Sequence, residues 1–190
     1  MFRGHCFSFL RAFIKVRVAS EIGEAPNDCR NISACLDTFR EQTMDILISQ
    51  FQTSDTEAVV ALWHACGLSR PWNDPYKDIA RKQLVQPELF LVIRDGATIA
   101  ATVMAGFDGH RGWVNYLAVD ATHRHRGIGR ALMLEVERRL EQIGCPKLSL
   151  MVRADNREVL AYYAHLGYQV DDVVALGKRL ISDLPPAENS

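Results

Sequence analysis

The spacing of apolar residues changes along this chain, and each change predicts an element. Ile46, Ile48 and Phe51 follow Met44 in a short β-prone run that predicts a strand. Ser54 or Asp55 then caps a helix running to about Cys66, with Val59, Leu62, Trp63 and Cys66 on one face and Gly67 at its end. Two prolines and an Asn-Asp pair in the stretch 68–75 predict a loop. Pro75, at a first helical position, opens a second helix with Ile79, Leu84 and Val85 on the expected buried side. Leu89 to Ile93 is a continuous apolar run closed by Asp95-Gly96, a hairpin signal. Thr98 to Phe107 returns, Asp108-Gly109 turns again, and Trp113 to Val119 makes a third strand of a meander. From Gly127 to Ile143 the period becomes helical, with Ile128, Leu132, Val136, Leu140 and Ile143 on one face and Gly144 as the stop. Leu148 to Val152 reads as a short strand and Asn156 to Leu166 as a helix ended by Gly167. Tyr168–Val170 and Val173–Leu180 read as a closing strand pair, and a tail follows Leu184. A meander followed by a strand–helix–strand crossover requires a mixed sheet, which excludes an all-parallel doubly wound domain.

Composition narrows the class. The chain has 190 residues, a formal charge of −1, 48% hydrophobic and 24% charged side chains. That suits one ordinary domain, or one domain with an extension. The charge lacks the basic excess of a nucleic-acid binder, and no apolar run reaches membrane-span length, so neither nucleic acid nor membrane is expected as a partner. Five cysteines without a CxxC pair argue against a zinc site or a disulfide framework and for a reducing, cytoplasmic setting. The first twenty residues carry Arg3, Arg11, Lys15 and Arg17 and no acid. They resemble a targeting presequence only superficially, because the basic residues break the apolar stretch. Residues 1–43 are expected to be a poorly ordered extension or the product of an upstream start, residues 44–184 the domain, and 185–190 a tail.

The chemistry concentrates in one segment. Leu117-Ala118-Val119-Asp120 leads into Arg124-His125-Arg126-Gly127-Ile128-Gly129-Arg130, between a strand and a helix. Two glycines allow close backbone approach, the first helical turn points unpaired N–H groups at the loop, and three arginines add positive charge. This is the chemistry of a pyrophosphate cradle. The third glycine of a dinucleotide fingerprint is missing, as is the Gly-Lys-Ser/Thr of a P-loop. For the segment by itself, a helix start with surface arginines is the alternative reading. The His123-x-His125 pair lies among arginines that would repel a cation, so no metal is expected. Arg138-Arg139 reads as a solvated helix face. Trp72 is either a core plug beneath its prolines or part of an acceptor pocket.

Two motifs together resemble the GNAT (Gcn5-related N-acetyltransferase) superfamily. Arg124-x-x-Gly127-x-Gly129 matches its acetyl-CoA motif, and Asn156 through Tyr168 matches its second, an Asn followed by a helix ending Tyr-x-x-Leu-Gly-aromatic. The loop Arg70–Pro75, the turn Gly106–Gly112 and the ending Leu176–Ile181 look like the bacterial YpeA-type subgroup. The resemblance implies an α/β (α+β) domain. Its mixed, mostly antiparallel central sheet of about seven strands is flanked by four helices, and a splayed parallel pair binds acetyl-CoA.

Roles follow residue by residue. The backbone of Leu117, Ala118 and Val119 would pair with the pantetheine arm. The N–H groups of His125, Arg126, Gly127, Ile128, Gly129 and Arg130 would hold the pyrophosphate, with Arg124 at the head of the motif. Asn156 would contact the cosubstrate from the far side, and Tyr163 would protonate the departing thiolate. The implied reaction is direct attack of a primary amine, on a small molecule or a protein, upon acetyl-CoA, in a monomer or homodimer. The family's base is missing: relatives that acetylate ribosomal-protein N-termini carry a Glu where Met151 stands, and the strand Trp113–Val119 offers no carboxylate. Asp108, His110, Asp74, His64 and a water chain are the candidates. Asn115 could hold a water, and Trp72, Asn73 and Asp74 could line the acceptor pocket. An acyl-CoA-binding regulatory module with weak catalysis is the alternative reading.

Overall fold

Phe90-Leu91-Val92-Ile93 is apolar without a break because both faces of this strand are covered. Phe90 and Val92 pack into one hydrophobic cluster and Leu91 and Ile93 into another, and all four are buried. Side chains alternate across a sheet, so two clusters on one strand mean two packed layers. Each such side chain contributes roughly 1.5–3 kcal/mol by leaving water. The computed structural model describes residues 15–18 and 45–184 of the chain.

Six strands form one sheet in sequence order: β1 (Lys15–Val18), β2 (Asp45–Gln50), β3 (Phe90–Asp95), β4 (Thr98–Phe107), β5 (Gly112–Val119) and β6 (Leu148–Leu150). β2 to β5 pair antiparallel, whereas β1 runs parallel to β2 and β6 parallel to β5. The mixed α/β fold expected from the element order is therefore present. On one face lie α1 (Thr56–Ala65) and α2 (Pro75–Gln83), whose Val59, Val60, Leu62, Trp63 and Ile79 pack with Phe51, Phe90, Val92 and Met104. On the other lie α3 (Ile128–Gln142) and α4 (Arg157–His165), which bury Ile128, Leu132, Val136 and Tyr163 against Leu91, Val103 and Val114. Asp74 caps α2 by accepting from the Tyr76 and Lys77 N–H groups, with Pro75 behind it.

Several expectations need correction. Leu84 and Val85 are 86% and 62% exposed, because α2 stops at Gln83 and the left-handed Gln86 turns the chain into β3. The closing strand pair over 168–180 does not form, which leaves five of the seven expected strands, and β1 brings the described sheet to six. Val170, Val173, Val174, Leu176 and Leu180 are exposed there. Side chains hold this segment in place of ladder bonds. Lys147 pairs with Asp171, Arg179 donates to Asn73 Oδ1, and the buried Asp183 pairs with Arg81 and accepts from the Asp74 N–H. Arg138 and Arg139 are more than a solvated face: both bind the buried Glu135, and Arg139 also donates to the Glu88 carbonyl. β1 is a strand that the hydrophobic pattern did not single out. The rest of the 1–43 extension and the 185–190 tail lie outside the described residues.

Candidate active site

The site begins where two parallel strands part. β5 pairs with β6 only at Gly112–Val114, opposite Leu148–Leu150. Beyond Val114 the β6-side edge of β5 has no strand partner among the described residues, so Asn115 to Val119 present ladder groups to an open cleft. A bulge drives the parting. Asn115 faces Met104 and Ala118 faces Thr102, so Tyr116 and Leu117 together stand opposite Val103.

Tyr116 makes this bulge with φ +52°, a left-handed conformation that costs a non-glycine residue roughly 1–3 kcal/mol. Its neighbours hold it there. The ring stacks on Trp63 with centroids 4.0 Å apart, and the hydroxyl donates to Asp78 Oδ2 at 2.6 Å. Its carbonyl accepts from Thr102 Oγ1 at 3.1 Å, and that oxygen accepts from Trp63 Nε1 at 2.9 Å. Burial, aided by the Asp78 carboxylate, pushes the Tyr116 phenol up to about 12. The pattern of apolar residues gave no sign of this network, because a left-handed tyrosine has no sequence signature.

The loop after β5 is fixed at both ends. The Asp120 N–H donates to the Ala100 carbonyl, and its carboxylate accepts from Thr122 N–H and caps a short turn. The Thr122 hydroxyl, the Thr122 N–H and His123 together bring that carboxyl down to about 2. His123 is buried, with Nε2 3.0 Å from Asp95 Oδ2, and so ties the loop to the β3–β4 turn. His125, two residues on, is exposed, and among the described residues no group of three or more His, Cys, Asp or Glu side chains could hold a metal ion. His125 and Gly127 are both left-handed, at φ +59° and +75°. They turn the backbone so that α3 starts at Ile128, buried beneath the loop. The first intrahelical bond runs from the Ala131 N–H to the Gly127 carbonyl. The N–H groups of Ile128, Gly129 and Arg130 precede it and point out of the helix end.

The arginines divide. Arg124 folds back so that its Nε donates to the Val119 carbonyl at 3.2 Å. Arg130 borders the α3–α4 groove beside Glu137 and His165. Arg126 is exposed at the loop.

Across the cleft, α4 and the turn after it bring three aromatic rings together. Asn156 caps the helix by accepting from the Val159 N–H at 3.2 Å. Tyr163 is buried, with its ring edge-on to Tyr162 at 5.3 Å and to Tyr168 at 5.6 Å. Burial, reinforced by Tyr162, pushes its phenol up to about 12. The Tyr168 hydroxyl donates to Glu137 Oε1 at 2.6 Å, which fixes α4 to α3. Tyr162, which no motif singles out, reaches the glycine loop. A Cβ on Gly129 would stand 2.7 Å from its hydroxyl oxygen and 3.5 Å from Val119 Cγ2. That hydroxyl is buried without a hydrogen-bond partner.

The residues considered for the acceptor side are spread out. Trp72 is 49% exposed on the loop before α2, Asn73 accepts from Arg179, and Asp74 is occupied as a cap. Asn115 is exposed at the start of the open edge, and His64 is exposed on α1. Asp108 and His110 lie in the turn at the opposite end of β5, about 20 Å of strand from Val119. Asp108 accepts from Arg111 N–H, Trp113 Nε1 and His110 N–H, in that order of effect, which brings its carboxyl down to about 2. A carboxylate so held is a turn anchor and a poor base.

Comparison with known proteins points to one chemistry. The acetyltransferase (GNAT) family model matches residues 40–168. An acetyltransferase of Yersinia pestis is 50% identical over 133 residues, covering 70% of this chain and 94% of its own. The ribosomal-protein-S18-alanine N-acetyltransferase of Escherichia coli superposes with TM-score 0.54 at 26% identity, over 64% of this chain and 76% of its own. AAC(6')-Iy, in complex with the bisubstrate analogue CoA-S-monomethyl-acetylneamine, superposes with TM-score 0.61 at 15% identity, over 72% of this chain and 99% of its own. Among the described residues no helix is long and apolar enough to cross a membrane.

Proposed function

The chain belongs to the GNAT acetyltransferase family, and from that premise we propose that it transfers the acetyl group of acetyl-CoA to a primary amine of a small molecule or a protein, by direct attack within a ternary complex. The observation that carries this reading is that the unpaired edge of β5 and the Gly127–Gly129 start of α3 are joined by one short loop, residues 120–126, which Asp120 and His123 pin in place.

One feature of the chain fits acetyl-CoA at this cleft: the left-handed His125 and Gly127 turn the loop so that the first N–H groups of α3 leave the helix without intrahelical partners. When bound, acetyl-CoA supplies an activated acetyl thioester. The backbone of Leu117, Ala118 and Val119 would bind its amide-bearing arm as an added strand does. The N–H groups from His125 to Arg130, at the positive end of a 15-residue helix, would bind the pyrophosphate. A backbone N–H near Leu117 would polarise the thioester carbonyl. Tyr163 would hold its proton until the thiolate departs and then give it up. Burial suits it to that role, because a phenol raised to about 12 stays protonated across the neutral range. The amine's own proton would pass to solvent, since Asp108 is committed to its turn.

Thiol release from acetyl-CoA across a panel of amines tests the proposal, with Tyr163→Phe measured beside wild type. The expected result is amine-dependent release that Tyr163→Phe lowers in kcat by about 10²–10⁴-fold, with KM for acetyl-CoA little changed. The wild-type kcat should show no loss attributable to Tyr163 between about pH 7 and 10, because the acid form persists to higher pH. Tight CoA binding with no release for any amine would instead identify an acyl-CoA-binding regulatory module.

A further inference from the structure

We propose that the C-terminal strap, residues 170–181, is a homodimer surface, on which two copies of this chain pair strap to strap, antiparallel about a two-fold axis at Ala175. The inference is independent of the acetyl-CoA reading, since it uses none of the residues placed around the cosubstrate.

Three observations converge on a second copy as the partner. The first is exposure. Val170, Val173, Val174, Leu176, Leu180 and Ile181 are each 72–93% exposed. Together they open roughly 850 Å² per protomer, about what each partner brings to a stable interface. A monomer rarely leaves apolar surface on that scale in one segment. The second is the main chain. Residues 173–180 join no helix or strand, and among the described residues 174–181 make no main-chain hydrogen bond to the rest of the molecule. Side chains nevertheless hold the segment in place, with Asp171 bound to Lys147, Arg179 to Asn73 and Asp183 to Arg81. A strap fixed at both ends, with its ladder groups unused, is preorganised for another strand.

The third observation is the order of charges, and it selects the partner. The run 171–179 reads Asp-Asp-Val-Val-Ala-Leu-Gly-Lys-Arg, acidic at one end, basic at the other and apolar between. Antiparallel about Ala175, Asp172 of each copy stands opposite Lys178 of the other, and Asp171 opposite Arg179. On the same register Val174 meets Leu176 and Val170 meets Leu180, as directly opposed cross-strand pairs. A parallel pair would set acid on acid and base on base. Asp172 and Lys178 are exposed, and among the described residues neither has an ion-pair or hydrogen-bond partner within the protomer. The two-fold pairing gives each an opposite charge that the single chain leaves to water. Because both copies use the same surface, the contact closes at two.

The test measures the mass of the full chain in solution by sedimentation equilibrium over a range of concentrations, with thermal melting beside it. Wild type is expected at twice the chain mass. Asp172→Lys and Lys178→Asp each set like charges opposite one another at both ends of the pair. Each should weaken the dimer about tenfold or more while the chain still melts cooperatively. Mixed in equal amounts, the two variants restore opposite charges at both contacts, and the mixed dimer should recover the wild-type affinity. A wild type that stays monomeric overturns the inference and leaves the strap to its own β6 edge or to a different protein. A dimer that neither variant weakens also overturns it, because the contact would then lie elsewhere. So does a mixture of the two variants that stays monomeric. None of these results bears on acetyl-CoA transfer, which thiol release tests separately.

Discussion

Gly129 and Tyr162 occupy one small volume from opposite sides of the cleft, which makes their substitutions interdependent. In Gly129→Ala the new Cβ would meet the Tyr162 hydroxyl at 2.7 Å, and a ring packed among buried side chains can yield only with strain. The expected cost is about 1–3 kcal/mol. In a Tyr162→Phe background the nearest atoms recede to 3.5 Å, an ordinary contact. Gly129 is helical, so alanine there gains up to about 1 kcal/mol of helix propensity. Gly129→Ala should thus destabilise the wild-type chain and be neutral or stabilising beside Tyr162→Phe, as read by urea denaturation of the four proteins. Additive effects would mean that the two residues do not meet. The motif glycine was legible in the sequence. Its partner was not, because which of two adjacent tyrosines faces the loop depends on the rotation of α4 against α3.

The bulge in β5 belongs to an element, and its control lies in the neighbouring strand. Thr102, fully buried on β4, accepts from Trp63 and donates to the Tyr116 carbonyl. Thr102→Val keeps the shape but leaves the Trp63 N–H buried and unpaired, which should cost about 1–3 kcal/mol. Thr102→Ser keeps the hydroxyl and loses one methyl, for about 1 kcal/mol. If the network holds the bulge that opens the cleft, Thr102→Val weakens CoA binding well beyond Thr102→Ser when both are titrated far below their melting temperatures. Equal affinities would confine Thr102 to a stability role. Turn signals at Asp95-Gly96 and Asp108-Gly109, with the runs between and after them, located β4 and β5 correctly. They could not locate the bulge, since one extra residue inside an apolar run leaves hydrophobicity unchanged.

For the whole molecule, the division expected at residue 44 can be tested by starting the chain at Met44. β2 would lose its parallel pairing with β1 but keep its antiparallel ladder to β3, and both clusters flanking the sheet are built from residues after Gln50 apart from Ile48. The shortened chain should unfold cooperatively and bind CoA with the affinity of the full one, measured by thermal melting and calorimetry. Loss of the cooperative transition would make the first 43 residues part of the domain. The C-terminal segment marks the limit of pattern reading at this scale. Val173 to Leu180 has the apolar content of a strand, yet it lies exposed and is held at its ends by Lys147, Asn73 and Arg81. The sequence by itself determined the order and type of the elements from β2 to α4, the mixed sheet and the glycine loop. These depend on local periodicity and on residues whose backbone freedom is intrinsic. Only the tertiary structure decided where β5 leaves β6, which carboxylates are spent as anchors, and that Tyr162 carries an unpaired hydroxyl to Gly129. Each of those is a relation between residues far apart in the chain, fixed by packing across the sheet rather than by any spacing along it.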